Sequence, residues 1–209
     1  MELNITHLQH YLAYGLKVQY EGIINGTELK QWEKEFSDRY EINGIYPTIP
    51  CPEAIIGDKI GFVKRIEFRK NGSPSFLIGN KVGKRYYDLE GVKPLLLPLS
   101  VLYEEIDGEI GIIELAKIAT SDLQYCNDLH WVVGGKKDKY ATARKEEYDF
   151  AFDYDGVGAF WLSQRDVYDG SCPEIEIHSQ LALFDYLFSH HYDVYGLTDK
   201  GLAIDKRTV

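Results

Sequence analysis

Tight-turn dipeptides, among them Asn25-Gly26, Asn71-Gly72, Asp107-Gly108 and Asp155-Gly156, constrain what this chain can fold into more than any other feature. Such pairs supply the positive φ angles that two-residue hairpin turns need. Short stretches beside them alternate apolar and polar residues, the period of a half-buried strand. Residues 60–70 alternate about Phe62, Ile66 and Phe68, and Asn71-Gly72 turns them toward residues 75–79. On this pattern Phe62, Ile66 and Phe68 point inward. Residues 103–113 read as strand, turn at Asp107-Gly108 and strand, and residues 148–154 and 158–163 flank Asp155-Gly156 as another hairpin. Residues 16–20 alternate in the same way ahead of Asn25-Gly26, and Tyr86 and Tyr87 fall in a further strand.

Helical spacing appears in four places. Ile5, Leu8, Tyr11 and Leu12 predict a helix over residues 4–14, capped by Asn4 and stopped by Gly15. Leu29, Trp32 and Phe36 predict a second over 29–36, and residues 114–119 a third. The strongest pattern runs from Pro173 through Ile177, Leu181, Phe184 and Phe188 to His190. Three prolines make residues 46–52 an extended loop, and two prolines among dense leucines make 93–103 a buried, partly irregular connector. Beyond Gly196 the chain reads as an extended tail. The class expected is α+β: antiparallel sheets with a few packing helices in a single domain, with possible sub-lobes 1–93 and 94–209. At 209 residues such a domain buries a core without covalent staples.

Three well-separated cysteines, Cys51, Cys126 and Cys172, with no CxxC pair, point to a reducing compartment rather than a disulfide framework. The first residues show no basic segment followed by an apolar run, and no window approaches a membrane span, so a cytoplasmic protein is expected. The formal net charge of -10 disfavours broad contact with phosphate backbones. Charge is polarised along the chain. Residues 59–93 carry nine Lys or Arg against three acids, a net +6, whereas residues 146–199 carry twelve acids against Arg165 alone, a net -11.

Candidate chemistry is sparse. His190, His191 and Asp193 suit a metal, with His130 or His178 as further ligands, but adjacent residues on a helix point about 100° apart. A helix end presenting histidines is the plainer account, and no metal and no cofactor are expected. Asp149, Asp153 and Asp155 precede Gly156 as in a calcium loop, yet Ala151 stands where that loop needs its first ligand. On a strand these carboxylates share one face, opposite Phe150, Phe152 and Tyr154. With Glu146 and Glu147 they form a solvated face or a docking surface for a basic groove. Glu104-Glu105 and Glu146-Glu147 are sequence neighbours on opposite strand faces, which does not make an acid/base pair. No phosphate-binding glycine loop and no hydrolase motif occurs. Lys64, Arg65, Arg69 and Lys70 interleave with Phe62, Phe68 and Phe76, a mixture that single-stranded RNA binders use for phosphate contact and base stacking. The plainer account is a solvated basic face.

Two blocks resemble known sequences. GVKPLLLPLSVLYEEI (91–106) and FDYLFSHHYDVYGLTDKGLAID (184–205) are similar to the recurring KPILRPLSDL and HFDVFGLIEKGLAID blocks of uncharacterised proteins of Bacteroidetes phages and prophages. Lys93, Pro94, Leu97, Pro98, Leu99, Ser100 and Leu102 carry the first match. His191, Asp193, Gly196, Leu197, Lys200, Gly201, Leu202, Ala203, Ile204 and Asp205 carry the second, with Tyr192 and Tyr195 in place of Phe. The resemblance assigns no catalytic residue. It implies a phage-derived, non-enzymatic inhibitor of a host defence nuclease, of the anti-CRISPR kind, with a type VI RNA-guided RNase and its guide RNA as partners. Alternatives are a phage accessory or assembly protein, or a small metal-dependent hydrolase built on His190, His191 and Asp193.

Overall fold

In the computed structural model, residues 3–23, 56–70, 73–80, 83–126, 128–135, 138–155 and 158–209 are described. The helix and loop expected over 29–36 and 46–52 lie outside them. Among the described residues, three α-helices and twelve strands, in antiparallel and parallel pairings, make an α+β fold. The chain divides into a discontinuous unit, Met1–Leu16 with Leu95–Val209, and an inserted unit, Lys17–Pro94. The +6 stretch belongs to the inserted unit and the -11 stretch to the discontinuous one.

The inserted unit is an antiparallel sheet. Its strands are β1 (Lys17–Ile23), β2 (Ile56–Phe68), β3 (Pro74–Asn80), β4 (Gly83–Asp88) and the start of β5 (Val92–Leu96), ordered β5-β1-β2-β3-β4. One face buries Val18, Tyr20, Val63, Phe76, Ile78 and Val92. Gly61 is fixed by this packing, because a Cβ there would lie 2.6 Å from Ile78 Cγ2 and 3.0 Å from Tyr20 Cε1.

The discontinuous unit opens with α1 (Ile5–Leu12). Asn4 accepts from the Thr6 amide and its own amide donates to His7 Nδ1, a reciprocal cap that satisfies the first turn. Leu8 and Tyr11, one turn apart, are fully buried. The first half of the 93–103 connector is strand β5, whose Leu95 and Leu96 pair in parallel with β12 (Ile204–Asp205). A 3-10 turn over Leu99–Tyr103 follows, burying Val101 and Leu102. The small hairpin of β6 (Glu105–Ile106) and β7 (Glu109–Ile110) feeds α2 (Gly111–Ala119), which starts three residues before the expected helix. Strands β8 (Val132–Gly134), β9 (Tyr140–Lys145), β10 (Tyr148–Tyr154) and β11 (Phe160–Asp166) form an antiparallel sheet in the order β11-β10-β9-β8. Its inner residues Ala141, Ala143, Phe150, Phe152, Phe160 and Leu162 share one core with Leu115 and Ala116 of α2 and with Leu183 and Leu187 of the last helix, α3 (Gln180–Ser189).

Two expectations about the C-terminal third are corrected. The helix does not begin at Pro173, because residues 171–175 run extended along β11, where Pro173 O accepts from Gln164 N and Ile175 N donates to Leu162 O. Strand hydrogen bonds claim those residues, so the buried stripe of α3 is Leu183 and Leu187, and Leu181 stands 84% exposed. The segment after Gly196 is not an extended tail but a series of turns ending in β12 and a 3-10 turn over Lys206–Thr208.

Candidate nucleic-acid interface

The outer face of the inserted sheet gathers cations around an exposed ring. Strand β2 carries a bulge: Val63 pairs with Ile78 and Arg65 with Leu77, leaving Lys64 as the extra residue. A bulge shifts the phase of the pleat. Ahead of it Gly61 and Val63 face the core and Ile60 and Phe62 face out; past it Lys64 and Arg65 are both exposed. The expected inward orientation is corrected for Phe62; Ile66 stays on the core face, opposite the fully buried Phe76, and Phe68, in phase with it, is exposed at the strand end. Phe62 is 43% and Phe68 66% exposed, and Ile66 is half-buried.

Register assembles the rest of the face. Phe62 lies between Lys17 on β1 and Gly79 on β3, and Gln19 lies between Ile60 and Lys93. The Lys17 Nζ is 5.3 Å and the Lys64 Nζ 5.6 Å from the Phe62 ring centroid. The Lys64 stem lies against Gly79, its Cγ and Cε 3.1 Å from where a Cβ would stand, so the missing side chain leaves that stem its course. Next to this, Arg65 donates to the Tyr86 hydroxyl at 3.2 Å and pairs with Glu67, while Arg69 pairs with Asp88 at 2.6 Å. Lys70 is exposed just beyond the strand end. Lys17, Lys64 and Lys93 form no ion pair among the described residues. Glu21 and Asp58 pair at the other end of the same face, which is acidic there.

No protein-family model, curated protein or solved structure matches this chain. Among the described residues no helix is long and apolar enough to cross a membrane.

The acidic strand lies as the pattern predicted, opposite Phe150, Phe152 and Tyr154, but its carboxylates serve the fold. Asp149 lies 3.6 Å from Arg144. Asp155 accepts from the Gly158 and Ala159 amides and closes the turn. Asp153 accepts from the Tyr103 hydroxyl at 2.5 Å and from the Tyr154 amide. Glu146 and Glu147 form the turn between β9 and β10, Glu146 at φ 55, and the Glu147 carbonyl accepts from Val167 N, beside the exposed Tyr168.

Burial, with the nearby Asp155 carboxylate adding to it, holds the Asp153 carboxyl above the usual range, and the hydrogen bonds from Tyr103 and the Tyr154 amide pull the other way. The native state then binds this proton more tightly than the unfolded chain, so the contribution is favourable at low pH and is lost as pH rises through the raised value. Asp153→Asn keeps an acceptor for Tyr103 and removes the charge. Its stability relative to the parent protein is expected to climb from about pH 4 toward neutrality, as read from urea denaturation at several pH values. A difference that is flat with pH would show that the carboxyl carries no such linkage.

The histidine cluster does not converge. The His190 ring stacks on Tyr186 at 4.1 Å, His191 turns at φ 62 with its ring stacked over Tyr11, and Asp193 is committed to Thr198. Among the described residues no group of three His, Cys, Asp or Glu side chains is placed to hold a metal. Lys17 and Gln19 were not among the residues singled out from sequence, and Lys93 was named only in the phage-like block. Their place on the face depends on strand register, which no local pattern encodes.

Proposed function

We propose that this chain is a non-enzymatic inhibitor of the phage type that binds the RNA component of a host RNA-guided nuclease through the outer face of its inserted unit. The observation that supports this reading is the gathering of Lys17, Lys64, Arg65 and Lys93 beside exposed Ile60 and Phe62 on one sheet face. Cations neutralise phosphates, and apolar side chains among them contact bases. The net charge of -10 over the whole chain opposes indiscriminate binding to nucleic acid.

A second reading puts the contact on protein. The turn holding Glu146 and Glu147 is bonded to the turn presenting Tyr168, an aromatic anchor with acidic neighbours that suits a basic protein surface. Co-expression of the tagged chain with a type VI effector and its guide, followed by capture with and without RNase, separates the two. The expected result is retention of effector and guide, with RNase releasing the effector. Retention indifferent to RNase moves the contact to the acidic turn. Recovery of phage structural proteins in place of the effector, from infected cells, replaces the inhibitor reading with an assembly role.

A further inference from the structure

Phe62 is an aromatic side chain held at the surface of a sheet by a bulge, with its opposite face occupied by the core. In the free protein two ammonium groups rest near its ring, Lys17 from the neighbouring strand and Lys64 from the bulge. An ammonium near an exposed ring gains little compared with one on a phosphate oxygen. The ring and its two lysines therefore form a poised set: cations that leave for a stronger partner, and an apolar surface that is uncovered when they do.

We propose that Phe62 is a stacking platform for an unpaired RNA base, with Lys17 and Lys64 taking the phosphates that flank it; this rests on the reading of the chain as an RNA binder. The occupant is a short single-stranded segment running across the outer face of the inserted sheet. Charge complementarity argues for it, because Lys17, Lys64 and Lys93 have no carboxylate partner among the described residues while Arg65 and Arg69 do. Stacking argues for a single strand, because a base inside a duplex has both faces covered by its neighbours. The same logic ranks the basic residues. Lys64 contacts phosphate directly, whereas Arg69, held by Asp88, contributes little.

The probe is a fluorescein-labelled oligouridylate of about ten nucleotides, within the span of a single sheet platform, titrated by anisotropy at low salt. Phe62→Ala is expected to weaken binding about tenfold to a hundredfold, and Phe62→Trp to restore it. Lys17→Ala with Lys64→Ala should reduce the slope of log affinity against log salt by about 1.4, two phosphates on a single strand. The same oligonucleotide annealed to its complement should bind more weakly. Because Phe62 is half out of the protein, Phe62→Ala should melt with the parent, which a thermal scan checks. Equal affinity for duplex, or an unchanged Phe62→Ala, overturns the proposal. If the oligouridylate does not bind while the effector is still released by RNase, the platform fails and the inhibitor reading stands. If Phe62-dependent binding is seen but no effector is captured, the platform stands and the inhibitor reading fails. Retention of the effector through protein alone, lost on Phe62→Ala, overturns the RNA assignment in favour of an acidic protein partner.

Discussion

Asp193→Ala is expected to lower stability by about 3 kcal/mol, through the loss of two hydrogen bonds and the donors left unsatisfied. Asp193 is 1% exposed, an unusual place for a carboxylate. Its Oδ2 accepts from the amide of Thr198 at 2.6 Å and from the Thr198 hydroxyl at 2.7 Å, while Oδ1 is buried with no hydrogen-bond partner among the described residues. Its backbone is tied down as well: Asp193 N donates to Leu97 O and Gly196 N to Asp193 O. Removing the side chain strands both Thr198 donors in a partly buried turn. Asp193→Asn keeps one acceptor and should cost under about 1 kcal/mol. Denaturant titration decides it: an Ala variant within about 0.5 kcal/mol of the parent would mean that the turn closes without the carboxylate.

Phe152→Ala should cost more, about 3 to 5 kcal/mol, the range for emptying a buried aromatic site. Phe152 is fully buried in the middle of β10, opposite Ala141 and Leu162, with its ring stacked 6.0 Å from that of Phe160. The neighbour on β9 is only an alanine, so little side chain is at hand to collapse into the space. For a domain of this size the melting temperature should fall by roughly 10 °C. A fall of only a degree or two would show that α2 and the sheet close over the cavity.

Local patterns disclosed the parts of the fold that local forces decide. The cap of α1 at Asn4, the hairpin about Asp155-Gly156 and the inward set of Phe150, Phe152 and Tyr154 follow from spacing alone. What the patterns missed was settled by partners distant in sequence. Pro173 begins no helix because β11 offers its neighbours strand hydrogen bonds, and Phe62 faces outward because a bulge at Lys64 shifts the pleat. The candidate interface was therefore half legible: Lys64, Arg65 and Phe62 were visible as a basic and aromatic run, but the place of Lys17 and the outward orientation of the Phe62 ring were not.

The C-terminal block that carries the phage resemblance turns out to spend its chemistry on its own fold. Leu197 is fully buried and its carbonyl accepts from the amides of Leu202 and Ala203; Lys200 Nζ donates to Tyr195 O; Asp205 accepts from Arg207.

The buried Tyr11 hydroxyl donates to Tyr192 O and accepts from Val194 N, across 181 residues of sequence. At a synthesis rate of about 5–20 residues per second, the first helix therefore waits roughly 10 to 40 seconds for its partner to leave the ribosome. The inserted unit, contiguous in the chain, meets no such delay. Its sheet can close, and its basic face be presented, while the unit that encloses it in sequence is still being made.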